Sequence, residues 1–486
     1  MIEIDGEHLT CADIAALAEQ REGFAVGREA WLRVGRSHRY AERVSATRAV
    51  YGRSTGVGAN RSIGIEDAGT HAHARALLRS HAASGGRARS AERVRAMLAV
   101  RLNQLAAGGS GASEAVLEGL AAMLAADALP RVGELGGIGT GDLTALAATA
   151  LALMGEVPTS QPQPSVIEFG PDDALPFISS NAATIADAAL ACVRLAELAR
   201  ASVVVAALTF LAVRGNTEAF AEIVDRVTPF PGSRLVTRWM RTLIAGAPPA
   251  ARIQDPFGLR TLPQTLGPAL DALGALDDVV AKLANAPSEN PVLWGHPGEE
   301  GGEGDQGGEL AHHGGFHAAY LASALDTAVI TVAQSAKLVL ARLTTLNDPE
   351  FTELPAFLGD GRAGSSGTMI LEYVGASALG RLRAAATPAG LQSVVLSQGV
   401  EEDASFASLA AGQALDAVVH FRTLLACELV AAVRGLRLAD RTPADPRLRR
   451  AVELCADQPA ELADRDLSAD IAAAEKVLPE LARLLD

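Results

Sequence analysis

The sequence predicts a mainly α protein: a loop-rich N-terminal region on a long central helical bundle. Three observations predict it. Hydrophobic residues make up 49% of the chain but aromatics only 4%, with alanine dominant, which suits close helix packing better than a β-sandwich. Three long alanine/leucine/valine segments, at 182–213, 318–346 and 408–436, are apolar around much of their circumference. That is the mark of helices surrounded by other helices. Before residue 181, glycine-rich stretches interrupt the helical ones: "YGRSTGVGAN", "SHAASGGRA", "LAAGGSGAS" and "GGIGTGDLTALA". The expected division is therefore an active-site region with glycine-rich loops at 1–181 and a helical bundle at 182–486.

Each element follows in order. The first ten residues read as a short strand and turn, then a helix from "TCADIAALAEQ", with Thr10 and Asp13 placed to cap it. The acidic, low-complexity stretch at 295–315, "GHPGEEGGEGDQGGELAHHGG", reads as a mobile loop. Net charge is −15, and no basic run interleaves with aromatics, which argues against a nucleic-acid surface. Cys11, Cys192, Cys427 and Cys455 are scattered without CxxC spacing, as expected of buried reduced thiols. "MIEIDGEHLT" has neither the basic start nor the apolar run of a signal peptide. The most apolar stretch, "ASVVVAALTFLAV" from Ala201, is too short to span a membrane. The expectation is a soluble cytoplasmic protein with no membrane partner.

Several stretches invite a site. His312, His313 and His317 cluster in "HHGGFH", and His71 and His73 are neighbours, but without organised partners they read as solvated loop histidines and no metal is expected. No glycine stretch matches GxxxxGK[ST], and the GxG fragments lack the strand–turn–helix setting of a dinucleotide fingerprint. "YGRSTGVGAN" places Tyr51 before a side-chain-poor loop that a small ligand can approach. A phenol, whose usual pKa is about 10, becomes a base only where charge or dipoles favour the phenolate. "IQDPFGLRTLPQ" carries Arg260, and arginine is a natural bidentate clamp for a carboxylate. Taken singly, each residue is as well read as a packing or ion-pairing group.

Taken in order, "YGRSTGVG", "RSHAASGG", "VRAMLAVRLNQLAAGGSG", "GGIGTGDLTALA", "PFPGS", "IQDPFGLRTLPQ", "SENPVLW", "GGFHA", "SSGTMI" and "SQGVEEDAS" resemble the histidine/phenylalanine/tyrosine ammonia-lyase and aminomutase family. The resemblance extends through "DLSADIAAAEKVL" near the C-terminus. It implies a mostly helical subunit in a homotetramer whose active sites are shared between subunits. It also implies chemistry on a methylidene-imidazolone electrophile, closed from an internal Ala-Ser-Gly. By matching position, Tyr51 is the base, Arg260 clamps the substrate carboxylate, and His81 and Ala82 select the side chain. Phe316 packs against the electrophile, Gln254 donates near it, and Glu401 meets the substrate amine, with Glu402 an alternative in "VEED".

The departures cluster. Gly139-Thr140-Gly141 stands where the family has Ala-Ser-Gly. A ring closed from Thr140 would carry a methyl on the carbon that a nucleophile must reach, and Gly139 loosens a turn that has to be compressed. The family's prosthetic-group asparagine aligns with Ser179, with Asn181 able to substitute only by a register shift. Its Asp-Pro-Tyr tyrosine is Phe257, and the Asn and Gln of its Asn-Phe-His-Gly-Gln block are Gly315 and Ala319. Electrophile-forming groups change while the base, clamp and acid remain, so no prosthetic group is expected. The leading expectation is a divergent lyase-like enzyme that moves protons on a small amino-acid-derived carboxylate by elimination, conjugate addition or cyclisation, in specialised biosynthesis. The alternatives are an ammonia-lyase or aminomutase with a methylated ring from Thr140, and a non-catalytic binding or scaffold homologue.

Overall fold

The computed structural model describes residues 1–65, 71–296 and 307–486. Helices dominate it. The three long apolar segments form helices at Ala182–Ala212, Ala319–Asn347 and Ala407–Leu438, within two residues of the ranges read from the sequence. A fourth long helix spans Leu262–Ala284. Strands are few and short. Ile2–Ile4 pairs in parallel with Phe24–Val26, and Gly85–Ala88 pairs antiparallel with Gly133–Leu135. Thr10 caps the Cys11–Ala18 helix in a reciprocal capping box with Asp13, as its sequence position required.

Two expectations change. The apolar stretch from Ala201 is not short: it ends a 31-residue helix, and the span Ala174–Ala212 is long and apolar enough to cross a bilayer. Of the most apolar 18 residues in that span 83% are buried, the condition of a core helix. The acidic segment is flanked by paired strands, Val292–Gly295 against Gly308–Ala311, running from Val292↔Ala311 to Gly295↔Gly308. The centre of the expected mobile loop, 297–306, lies outside the described residues. All four cysteines are buried, and burial pushes the Cys427 and Cys455 thiols up to about 12, as befits inert packing groups.

The chain forms two compact units. The first comprises Met1–Leu190, Leu276–Leu325 and Pro388–Gly412, and the second Ala191–Ala275, Asp326–Thr387 and Gln413–Asp486. The first holds the glycine-rich turns and the short strands. The second is helical, and a fully buried ion pair lies within it: Arg342 Nε and Nη2 donate to Glu428 Oε1 at 2.6 Å and Oε2 at 2.8 Å.

Candidate active site

The altered turn sits immediately before the Leu143–Leu153 helix. Asp142 anchors it. Its buried carboxylate accepts from the Thr184 backbone N–H at 2.7 Å and the Thr184 hydroxyl at 2.9 Å, tying two helix starts together. Burial pushes its pKa up, against the pull of the Thr184 donors and Arg89. The Asp142 N–H donates to Ser180 O at 2.6 Å, so the chain after the Ala174–Ile178 helix lies along the turn.

Gly139 and Gly141 have φ of +84° and +115°, conformations that side chains rarely adopt. Both are buried and Thr140 is half-buried. The Gly139 carbonyl accepts two hydrogen bonds, from the Ser405 hydroxyl at 2.9 Å and from the Ala318 N–H at 3.0 Å. The Gly141 N–H donates to Asn181 Oδ1 at 2.9 Å. Asn181 in turn donates through Nδ2 to the Phe316 carbonyl at 2.5 Å. Thus, of the two residues that bracket His317, Ala318 bonds to the turn directly and Phe316 through Asn181.

Here the expected pairing of Ser179 with the electrophile position gives way. The Ser179 hydroxyl accepts from the Asn290 N–H at 3.1 Å, and the side chain that reaches the turn is Asn181. The reason is local. Ser179 closes the Ala174–Ile178 helix at φ −80°, ψ 67°, and this non-helical step carries the chain round so that Asn181 faces Gly141. A buried brace lies against that helix end. Arg101, fully buried, donates to Phe177 O at 3.0 Å and to Glu289 Oε1 at 2.8 Å, while the Ser180 hydroxyl donates to Gln104 at 2.5 Å.

Tyr51 is half-buried, its loop pinned by Arg53, which pairs with Asp172 and donates to Ser110 O at 3.0 Å. The Tyr51 phenol oxygen accepts from the Gly58 N–H at 2.8 Å. A Cβ built on Gly58 would lie 3.4 Å from Glu401 Oε1, so this carboxylate stands over the same loop. Burial raises the phenol pKa above its usual 10 and Glu401 adds to the rise, while the Gly58 N–H and Arg61 oppose it. Of the two glutamates in "VEED", Glu401 is thus the one whose charge reaches Tyr51; its backbone also pairs with Leu396.

His81 ends the His71–His81 helix, with Nδ1 2.8 Å from Leu77 O, and Ala82 follows it, half-buried. In the second unit, Gln254 and Phe257 are exposed and Arg260 is half-buried. The Arg260 guanidinium stacks on the Phe257 ring at 4.5 Å, and its Nε is buried with no hydrogen-bond partner among the described residues. The loop histidines serve separate contacts: His312 Nε2 accepts from the Tyr51 N–H, His313 Nε2 lies 2.7 Å from Glu289 O, and His317 Nε2 lies 3.2 Å from Asp403. Sequence reasoning missed Ser405 and Ala318 as partners of the turn, although both lie inside blocks that carry the family resemblance.

A glycine-loop tyrosine beside a glutamate, and a tight turn held at both its carbonyl and its amide, are carried by a helical scaffold. Residues 9–457 match the family described as "Aromatic amino acid lyase", and the chain belongs to that family. It is 31% identical to histidine ammonia-lyase of Sorangium cellulosum, over 97% of this chain and 96% of that protein. Its fold matches histidine ammonia-lyase from Trypanosoma cruzi with a TM-score of 0.89 at 25% identity, covering 100% of this chain and 94% of that one. It also matches the ergothioneine-degrading ergothionase of Treponema denticola, with a TM-score of 0.88 at 22% identity over 100% and 99% of the two chains. The mainly helical ammonia-lyase fold expected from the sequence is the fold observed.

Proposed function

We propose that the protein is a carbon–nitrogen lyase or aminomutase acting on a small amino acid, with an electrophile closed from Gly139, Thr140 and Gly141. This reverses the leading expectation from the sequence, and one observation carries the reversal. The Gly139 carbonyl bears two donors, and the Gly141 N–H faces an acceptor, Asn181. That polarisation suits an amide nitrogen adding to a carbonyl carbon. The asparagine missing at Ser179 is one of the changes behind expecting no ring, and the bond from Gly141 to Asn181 supports Asn181 in its place. The family normally uses methylidene-imidazolone, and the residues around this turn fit it. When formed, the group supplies an electron-poor exocyclic carbon, which in this chain carries the Thr140 methyl.

The remaining chemistry belongs to side chains. Tyr51 acts as the phenolate, whose charge the Gly58 N–H stabilises, and it becomes the neutral phenol as it takes the β-proton. Glu401 receives the substrate amine. Because Glu401 raises the phenol pKa, pairing it with a cationic amine relieves that rise as substrate arrives. From the family resemblance, Arg260 is the proposed carboxylate clamp, with an unpartnered Nε among the described residues. The same resemblance gives Phe316 as the packing group of the electrophile, Gln254 as a donor, and His81 and Ala82 as the selectors of the side chain. Large apolar groups exposed on the single chain, among them Ile253, Phe257, Tyr320 and Leu391, support assembly into a homotetramer with shared sites.

A second reading, proton transfer without a ring, is favoured by the Thr140 methyl and by the lack of a hydroxyl at Phe257. Intact mass separates the two. Ring closure removes two waters, about 36 Da, and adds near-ultraviolet absorbance. Offered L-histidine, L-tyrosine and L-phenylalanine, the protein should release ammonia or a β-amino acid from at least one, and Tyr51→Phe should lose that turnover. A full, unmodified mass without new absorbance overturns the ring.

A further inference from the structure

We infer that Ser405 is the catalytic group for ring closure at the turn. The inference rests on the ring proposed above and adds the residue that drives its formation.

The 405–408 segment runs along the turn. Phe406 N–H donates to Ile138 O at 2.8 Å and the Ser408 hydroxyl to Gly137 O at 2.6 Å. Those two bonds hold the strands of chain together. The Ser405 bond differs in kind, because it ends on the Gly139 carbonyl oxygen, the atom that takes up charge when the ring closes. Ser405 is buried, and its oxygen accepts from the Ala407 N–H at 3.3 Å, which leaves its proton aimed at Gly139. With the Ala318 N–H it forms a two-donor oxyanion pocket at 2.9 and 3.0 Å, set in place before the reaction begins.

A Cβ on Gly139 would lie 2.0 Å from Ser405 Oγ and 2.8 Å from Ala407 N, so a methyl there would turn the hydroxyl aside and press on the backbone behind it. Glycine at 139 leaves the hydroxyl in the rotamer that donates to the carbonyl. The step balances without a co-reactant. The Gly141 nitrogen bonds to the Gly139 carbonyl carbon, and its proton passes to the carbonyl oxygen. That oxygen leaves as water with the Thr140 amide hydrogen, giving a C=N bond. A second water leaves with the Thr140 hydroxyl and α-hydrogen, giving the exocyclic C=C bond.

The test is a time course of intact mass after cell-free synthesis, with near-ultraviolet absorbance read in parallel. Wild type should become two waters lighter. Ser405→Ala, which removes one preorganised donor, should do so about 100-fold more slowly, and Ser405→Thr, which keeps the hydroxyl, should restore the rate. If Ser405→Ala does not fold, Ser405→Cys, with a weak donor of similar size, is scored by the same ratio. Wild type that stays at full mass overturns the ring and this inference together. Wild type that closes while soluble Ser405→Ala or Ser405→Cys closes equally fast overturns the role of Ser405 alone.

Discussion

Replacing Asn181 with alanine removes two hydrogen bonds at once, and their cost can be worked from the geometry. The first lost partner is the Gly141 N–H, 2.9 Å from Asn181 Oδ1 and buried. An unsatisfied buried donor costs about 1–3 kcal/mol. The second is the Phe316 carbonyl, 2.5 Å from Nδ2 on a half-buried residue, where water can take over part of the bond. Counting the first in full and the second at the low end gives about 2–4 kcal/mol. Ring closure takes the proton from the Gly141 nitrogen, so urea unfolding is compared at one fixed protein concentration in a Thr140→Ala background whose full intact mass shows the turn open, and intact mass reports closure with Thr140 in place. Asn181→Asp is the companion: it keeps the acceptor for Gly141 but sets a carboxylate oxygen against the Phe316 carbonyl. It should lose stability in the open background while still closing the ring when Thr140 is present. If Asn181→Ala stays within about 0.5 kcal/mol of its open parent and closes normally with Thr140 in place, the assignment of Asn181 to the turn is wrong.

Three further outcomes follow from named contacts. Glu401 raises the Tyr51 phenol, which must be deprotonated to act as base, so Glu401→Gln lowers that pKa and moves the rising limb of the pH–rate profile to lower pH; an unmoved limb refutes the coupling. Gly139→Ala forces a side chain into φ +84° against Ser405, and should cost about 2 kcal/mol or more by chemical denaturation, with no loss expected only if the turn is free to rebuild. Glu428→Gln strips the charge partner from fully buried Arg342 and weakens the acceptor shared with the Thr209 hydroxyl. It should cost about 3–5 kcal/mol, and a loss under about 1 kcal/mol would mean that water reaches the pair.

What was legible in the sequence was what a single stretch of chain encodes. The helices at 182–212, 319–347 and 407–438 announce themselves because residues buried on all sides must be apolar on all sides. The capping box at Thr10 is complete within four residues. Ten ordered blocks were enough for the family. The partners of the turn were not legible, for physical reasons that differ. Asn181 reaches Gly141 because of one non-helical step at Ser179, and a two-residue offset in alignment conceals which side chain will face inward. Ser405 acts on a carbonyl 266 residues away, and a hydroxyl in "EEDAS" bears no periodicity or spacing that names its acceptor. The Arg101–Glu289 brace is hidden the same way, since Arg101, one of three arginines on the Ala91–Ala106 helix, gives no sign of the carboxylate it meets 188 residues later. Position in a motif named the candidates; only the path of the chain assigned their hydrogen bonds.

Glycine at 139 couples the turn to the chain that crosses it. A Cβ there would meet two neighbours of unequal stiffness: the Ser405 hydroxyl at 2.0 Å, which can rotate, and the Ala407 nitrogen at 2.8 Å, which yields only if the backbone moves. Residues 139 and 405 therefore share one space, and the energies of substitutions at the two positions should not add when they are combined.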